Sequence, residues 1–250
     1  MTKPAIEGAR PPTPWRWSIM VAAGAGPGWW MFHYRGAALF AAVGLAIGLG
    51  VMLGSRHAPR LTAVGALLGA ALALHASSTL GWAGTDVPDG SRFKASPVGL
   101  SHVLTPHRPE SATVDCGWHA ASGYPAPCAV ADSRAFARLR LVYPLVLTAA
   151  LLAAAGMALS LSRAALVSHV RRGLASAAAL GTIGALGLFA TSVRPALAAI
   201  ADLPVGVGGT LGTMQVALAF LLLLAAALSP GARSAATPET TRAIAAEPSH

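Results

Sequence analysis

Carboxylates are nearly missing from this chain. Nine Asp and Glu residues are spread over 250 positions, and none falls inside a long apolar run. Proton- and cation-coupled transporters generally need a carboxylate at membrane depth, so that class is disfavoured. The polarity within or beside the apolar runs is limited to His75, the hydroxyls of Ser77, Ser78 and Thr79, and Arg140 and Arg194 near run ends. His33 and His169 also lie near run ends and form no facing pair of the kind a b-type haem requires, and no cofactor is expected. The chain has no G-x-S-x-G, no H-E-x-x-H and no P-loop, so nothing gathers a nucleophile, a base and oxyanion donors, and no enzyme is expected. Only two cysteines occur, and they are not in a C-x-x-C pair. Lys and Arg are not interleaved with aromatics, which argues against a nucleic-acid surface.

What the chain has in excess is apolar surface. Hydrophobic residues make up 54% and charged residues 11%, where a soluble chain carries about 25% charge. A soluble fold of this size cannot bury that much, so the class is integral membrane. The net charge of +9 then acts on orientation and on anionic lipid. The amino terminus, MTKPAIEGARPPTPWRW, is polar and no small-x-small cleavage site follows, so insertion by the chain's own spans is expected. Heavy use of Ala, Gly, Arg and Pro points to a bacterial source, and hence to the inner membrane.

A bilayer core of about 30 Å needs roughly twenty helical residues. Five runs qualify or nearly so: Ala37 to Gly54, Leu61 to Ala83, Leu139 to Leu161, Gly173 to Val193, and Pro204 to Leu228. The expected fold is an all-α bundle of five, or six, transmembrane helices with one long extracytoplasmic loop between the second and third. Residues 1–36 form a tail holding an interfacial or short membrane segment. Residues 37–83 carry the first two spans, 84–138 the loop, 139–228 three spans, and 229–250 a disordered cytoplasmic tail. The connections SRHAPR and SRAALVSHVRR contain Arg56, Arg60, Arg163, Arg171 and Arg172 and no acid, which places both in the cytoplasm and the loop outside. Five spans leave Lys3, Arg10 and Arg16 on the outer side. A sixth span over residues 17–34, turning at Arg35-Gly36, removes that conflict, although Pro27 interrupts it and Trp29 and Trp30 also suit an interfacial helix.

Glycines recur at four-residue spacing: Gly44 with Gly48, Gly50 with Gly54, Gly65 with Gly69, and Gly208 with Gly212. Such small faces let helix backbones approach in lipid, within the bundle or against a second copy or a partner helix.

The loop holds the chemistry. Cys116 and Cys128, with eleven residues between them, meet an oxidising compartment and are expected to close a disulfide worth about 2–3 kcal/mol. Trp118, His119 and Tyr124 would then form a constrained recognition tip. A redox pair lacks its usual motif. A metal site is the other reading, with His102, His107, Cys116 and His119 as its ligands, although no metal is expected.

From Leu61 onward, the order of Trp82, Val98-Gly99-Leu100, Cys116, Cys128, Ala131-Asp132-Ser133 and Arg138-Leu139-Arg140 resembles that of claudin-like tetraspan membrane proteins. Ser101 stands where that family has a second tryptophan. The resemblance implies a four-helix bundle with a disulfide-stapled outer sheet that contacts neighbours, and no catalysis. The expected function is interaction, as a scaffold, accessory subunit or signalling regulator. The alternatives are an anti-sigma-like regulator holding a cytoplasmic factor, and a metal or redox accessory protein.

Overall fold

The computed structural model describes residues 15–86, 92–103, 113–117, 134–161, 167–201 and 208–229. In chain order the elements are α1 (Trp15–His57), α2 (Pro59–Thr79), β1 (Ala83–Asp86), β2 (Arg92–Ala95), β3 (Gly99–Val103), β4 (Thr113–Gly117), α3 (Arg134–Leu139), α4 (Val142–Leu161), α5 (Val167–Ala201), β5 (Gly208–Gly209) and α6 (Leu211–Leu228). Five helical stretches are long and apolar enough to cross a membrane: His33–Ser55, Pro59–Thr79, Ala137–Leu161, Ser168–Ala198 and Leu211–Leu228. They fit a multi-pass membrane protein.

Helices α2, α4, α5 and α6 form a ring in which α2 packs on α4 and α6, and α5 packs on the same two. Large side chains such as Leu67, Leu74 and Phe189 are buried in the bundle, but many leucines turn outward and alanines fill the closest contacts. Leu180 is 71% exposed and Leu61 75%, while Ala70, Ala153, Ala175 and Ala178 are fully buried. Water would drive leucine inward; lipid does not, and small residues at the contacts let the helices close on one another. Two buried hydroxyls donate within their own helices, Thr182 to the Ala178 carbonyl at 2.8 Å and Ser160 to that of Gly156 at 2.7 Å.

As one straight rod, the 43 residues of α1 would run about 65 Å, twice a bilayer core. The helix instead folds back on itself. His33 takes the left-handed conformation, with φ of 53°, one and a half turns after Pro27. The two halves lie antiparallel, with Gly28 against the backbone of Gly36, Gly24 against that of Phe40, and Gly44 against that of Met20. The reversal comes two residues before the Arg35-Gly36 turn expected from sequence; Gly36 serves the close approach instead. The hairpin packs on α6 and α2, and α1 also touches β5. Met20 and Phe40 join Ala217, Leu221 and Ala225 of α6 in a small core of their own.

The expected all-α class holds for the bundle, but the connections at one end add a sheet. Five antiparallel strands run in the order β4-β3-β2-β1-β5, four from the first long connection and β5 from the connection between α5 and α6. Strand periodicity puts Ala83, Thr85, Phe93, Ala95 and Leu100 on the buried face, in register as Ala83 with Ala95, Thr85 with Phe93, and Ala95 with Leu100. Gly84, Asp86, Arg92 and Lys94 alternate with them. Two span ends move accordingly: α2 stops at Thr79, four residues before Ala83, and α6 starts at Leu211, not Pro204.

Candidate functional site

The sheet is fixed to the bundle through Trp82. This side chain is fully buried just past the end of α2, and its ring meets that of Phe189 on α5 edge-on at 5.0 Å. Its indole N–H donates to the Ser77 carbonyl at 2.8 Å, so the polar end of the ring is satisfied by the last turn of the helix it follows. Its backbone N–H donates to the Ala95 carbonyl at 2.7 Å, which extends the ladder of β2. The Trp82 carbonyl accepts from the Thr210 N–H and from the Thr213 hydroxyl. The Thr210 hydroxyl and the Gly212 N–H both donate to the Gly81 carbonyl.

The start of α6 is therefore bonded to the end of α2 across about 130 residues of sequence. Gly212 permits this: a Cβ there would stand 2.7 Å from Cδ1 of Trp82. Thr213 also accepts from the Thr210 N–H at 2.9 Å, which caps the helix. Thr213→Val keeps the volume and removes the hydroxyl. The Trp82 carbonyl retains the Thr210 N–H, so the expected loss is about 1 kcal/mol, read as a lowered denaturation midpoint of the detergent-solubilised protein.

Over the other face of β1 and β2 lies a groove of about 400 Å³ lined by Gly84, Thr85, Asp86, Arg92, Lys94 and Thr210, among others. Arg92 and Asp86 are cross-strand neighbours joined by an ion pair of 2.5 Å. The hydrogen bond and charge of Asp86 raise the pKa of Arg92. Both side chains are exposed, so the pair orders the rim more than it adds stability. With Lys94, the rim carries two cations and one carboxylate. Its size falls within the range of small-ligand sites, and Gly84 contributes no side chain to its floor.

Of the residues singled out from sequence, Cys116 stands on β4 opposite Leu100 of β3, and His102 on β3 opposite Phe93 of β2. Cys128, Trp118, His119, Tyr124 and His107 lie outside the described residues, so the staple, the tip and the candidate metal set do too. Among the described residues no three His, Cys, Asp or Glu side chains gather as a metal site. His75 is exposed on α2, and Ser77, Ser78 and Thr79 donate to their own helix's carbonyls. The clamp of Thr210, Thr213 and Phe189 escaped the sequence reading, although T-x-x-T beside a glycine pair is a capping signal. The chain matches no known family model, and no curated protein matches it.

Proposed function

We propose that this is a multi-pass inner-membrane protein that acts by interaction, presenting its outer sheet to a protein partner on the extracytoplasmic side. The observation that carries this reading is the rigid mounting of the sheet. Two separate connections, some 130 residues apart, are tied into one surface by Trp82, Thr210 and Thr213. Bonding of that extent fixes the orientation of a small surface relative to the bundle, which a contact platform needs and a passive loop does not. A four-helix core carrying an outer sheet is also what the likeness to claudin-like proteins implied, with the Cys116–Cys128 staple as part of that expectation.

Six crossings fit this reading best. The antiparallel hairpin brings Arg16 to the end of the bundle where α6 finishes, so Lys3, Arg10 and Arg16 no longer precede an outward-facing start. That end also carries Arg60, Arg171 and Arg172 and no described acid, while the sheet end mixes the described acids, Asp86 and Asp115, with Arg35, Arg92, Lys94, Arg138 and Arg140. The orientation rule weighs basic residues in short connections, and the acid-free turn holding Arg56 and Arg60 is the short one, so that end is cytoplasmic and the sheet is outside.

The test is site-specific photocrosslinking in intact cells. A photoreactive residue at Lys94 is expected to give a discrete adduct with a second polypeptide, and one at lipid-facing Leu147 is expected to give none. With the crosslinker at Gly84, Arg92→Glu with Lys94→Glu should reduce the adduct at least tenfold. Adducts that form only from the carboxyl tail would overturn the sheet reading in favour of a regulator of a cytoplasmic factor. Stoichiometric metal in the purified protein, lost when His102, His107 and His119 are replaced, would favour the metal-accessory reading.

A further inference from the structure

We infer that the opposite end of the molecule holds a binding site for one anionic phospholipid, in the cleft between the α1 hairpin and the end of α6. The cleft is lined by Arg16, Trp17, Met20, Gly48, Val51 and Leu228, among others. Apart from the arginine and Ser229, whose hydroxyl donates to the Ala226 carbonyl, the lining side chains are apolar or absent. Gly48 packs closely here, since an added Cβ would stand 3.2 Å from Cγ of Met20 and 3.5 Å from Cζ3 of Trp17, so the three form a continuous apolar floor on which a hydrocarbon chain can lie. At its mouth, Arg16 lies over the ring of Trp15 with its Cζ 5.4 Å from the ring centre, and its Nε is buried with no hydrogen-bond partner.

A buried guanidinium donor without an acceptor is costly, and the described residues offer no carboxylate at this end of the bundle to supply one. Among the described residues no acceptor reaches it, which leaves the position open to an anion from the membrane. An apolar cleft with a cation at its rim, at the level where the helices leave the membrane, fits a phosphodiester headgroup with its acyl chain lying beneath. A free phosphate would use the arginine and leave the apolar floor unused; a neutral detergent would do the reverse. The same shortage recurs across the bundle, where the Nε atoms of Arg171 and Arg172 are also buried and unpartnered. Those two arginines do not line this cleft, so the proposal is confined to Arg16. It is independent of the partner proposed for the sheet.

Trp17 reports on occupancy. The full-length protein is reconstituted in phosphatidylcholine vesicles containing a minor fraction of either brominated phosphatidylglycerol or brominated phosphatidylcholine. The Trp17 contribution is the difference between the parent and Trp17→Phe. The anionic lipid is expected to be preferred about fivefold at equal mole fraction, the effect of one basic side chain acting on a lipid headgroup. Arg16→Gln should bring the ratio close to one, Arg16→Lys should retain part of it, and Arg60→Gln, exposed at the same end, should retain most of it. Equal quenching by the two lipids in the parent overturns the proposal, and so does an equal loss in Arg16→Gln and Arg60→Gln. Abolition of the preference by inorganic phosphate would assign Arg16 to a free anion instead of a lipid.

Discussion

Trp82→Ala should destabilise the protein by about 3–5 kcal/mol, the range for removing a large aromatic from a packed core. The side chain is fully buried, so its volume becomes a cavity at the junction of α2, α5 and the sheet. Three losses combine there: transfer of the ring, the edge contact with Phe189, and the N–H bond to Ser77. Collapse offers little relief, because Thr210, Thr213 and Ala95 bond to the Trp82 backbone and hold the surrounding walls in place. Trp82→Phe separates the effects. It retains most of the volume and loses the indole donor, while the Ser77 carbonyl still accepts from the Leu80 N–H at 3.3 Å, so a loss of about 1–2 kcal/mol is expected. Chemical denaturation in detergent gives both values. Hydrogen exchange should show faster opening of β1 and β2 in the alanine variant with the bundle still protected. A loss below 1 kcal/mol for Trp82→Ala would mean that the sheet is not mounted through this residue.

The bundle was legible because lipid imposes a length rule and a composition rule, and five runs satisfy both. Helix ends were harder to place. Ser77, Ser78 and Thr79 look like a continuation of the second span, yet their hydroxyls bond back to their own helix at its last turn and Leu80 leaves it. The sheet could not be read from local pattern. Strands of four or five residues give at most two alternations, and β5 is only Gly208–Gly209. Gly208 and Gly212 read as a helix-packing pair, while in the fold Gly208 is in a strand and Gly212 sits against Gly81 and Trp82. The other pairs divide. Gly44, Gly48, Gly54 and Gly69 face neighbours within the chain, and Gly50 and Gly65 face open space. Spacing identifies which glycines share a face, but only tertiary structure decides which face has a neighbour. The site followed the same rule: Trp82 was noticed as a residue, but its partners Thr210 and Thr213 are distant in sequence and carried no signal linking them to it.

Identical substitutions at Gly24 and Gly26 should therefore have opposite signs. An added Cβ at Gly26 meets nothing within 4 Å, so Gly26→Ala removes backbone freedom and exposed amide surface at no steric cost. A gain of about 0.5–1 kcal/mol is expected, reduced to the extent that lipid already restrains the helix. At Gly24 the same methyl runs into the carbonyl of Phe40, a backbone atom that no rotamer change can move. The helices would have to separate, and lipid provides no hydrophobic force to hold them once the close contact is lost. Gly24→Ala should cost about 1–3 kcal/mol and Gly24→Val about 3 or more, in line with overpacked cores. The damage should remain within the hairpin, because Met20 and Phe40 belong to the smaller core shared with α6 and not to the main bundle. Denaturation midpoints supply the signs. Hydrogen exchange over residues 15–32 supplies the location, with protection lost there in Gly24→Val and kept in α2, α4 and α5. Equal midpoints for the two alanine variants would show that the halves of α1 do not touch, and the sixth crossing would then lose its structural support.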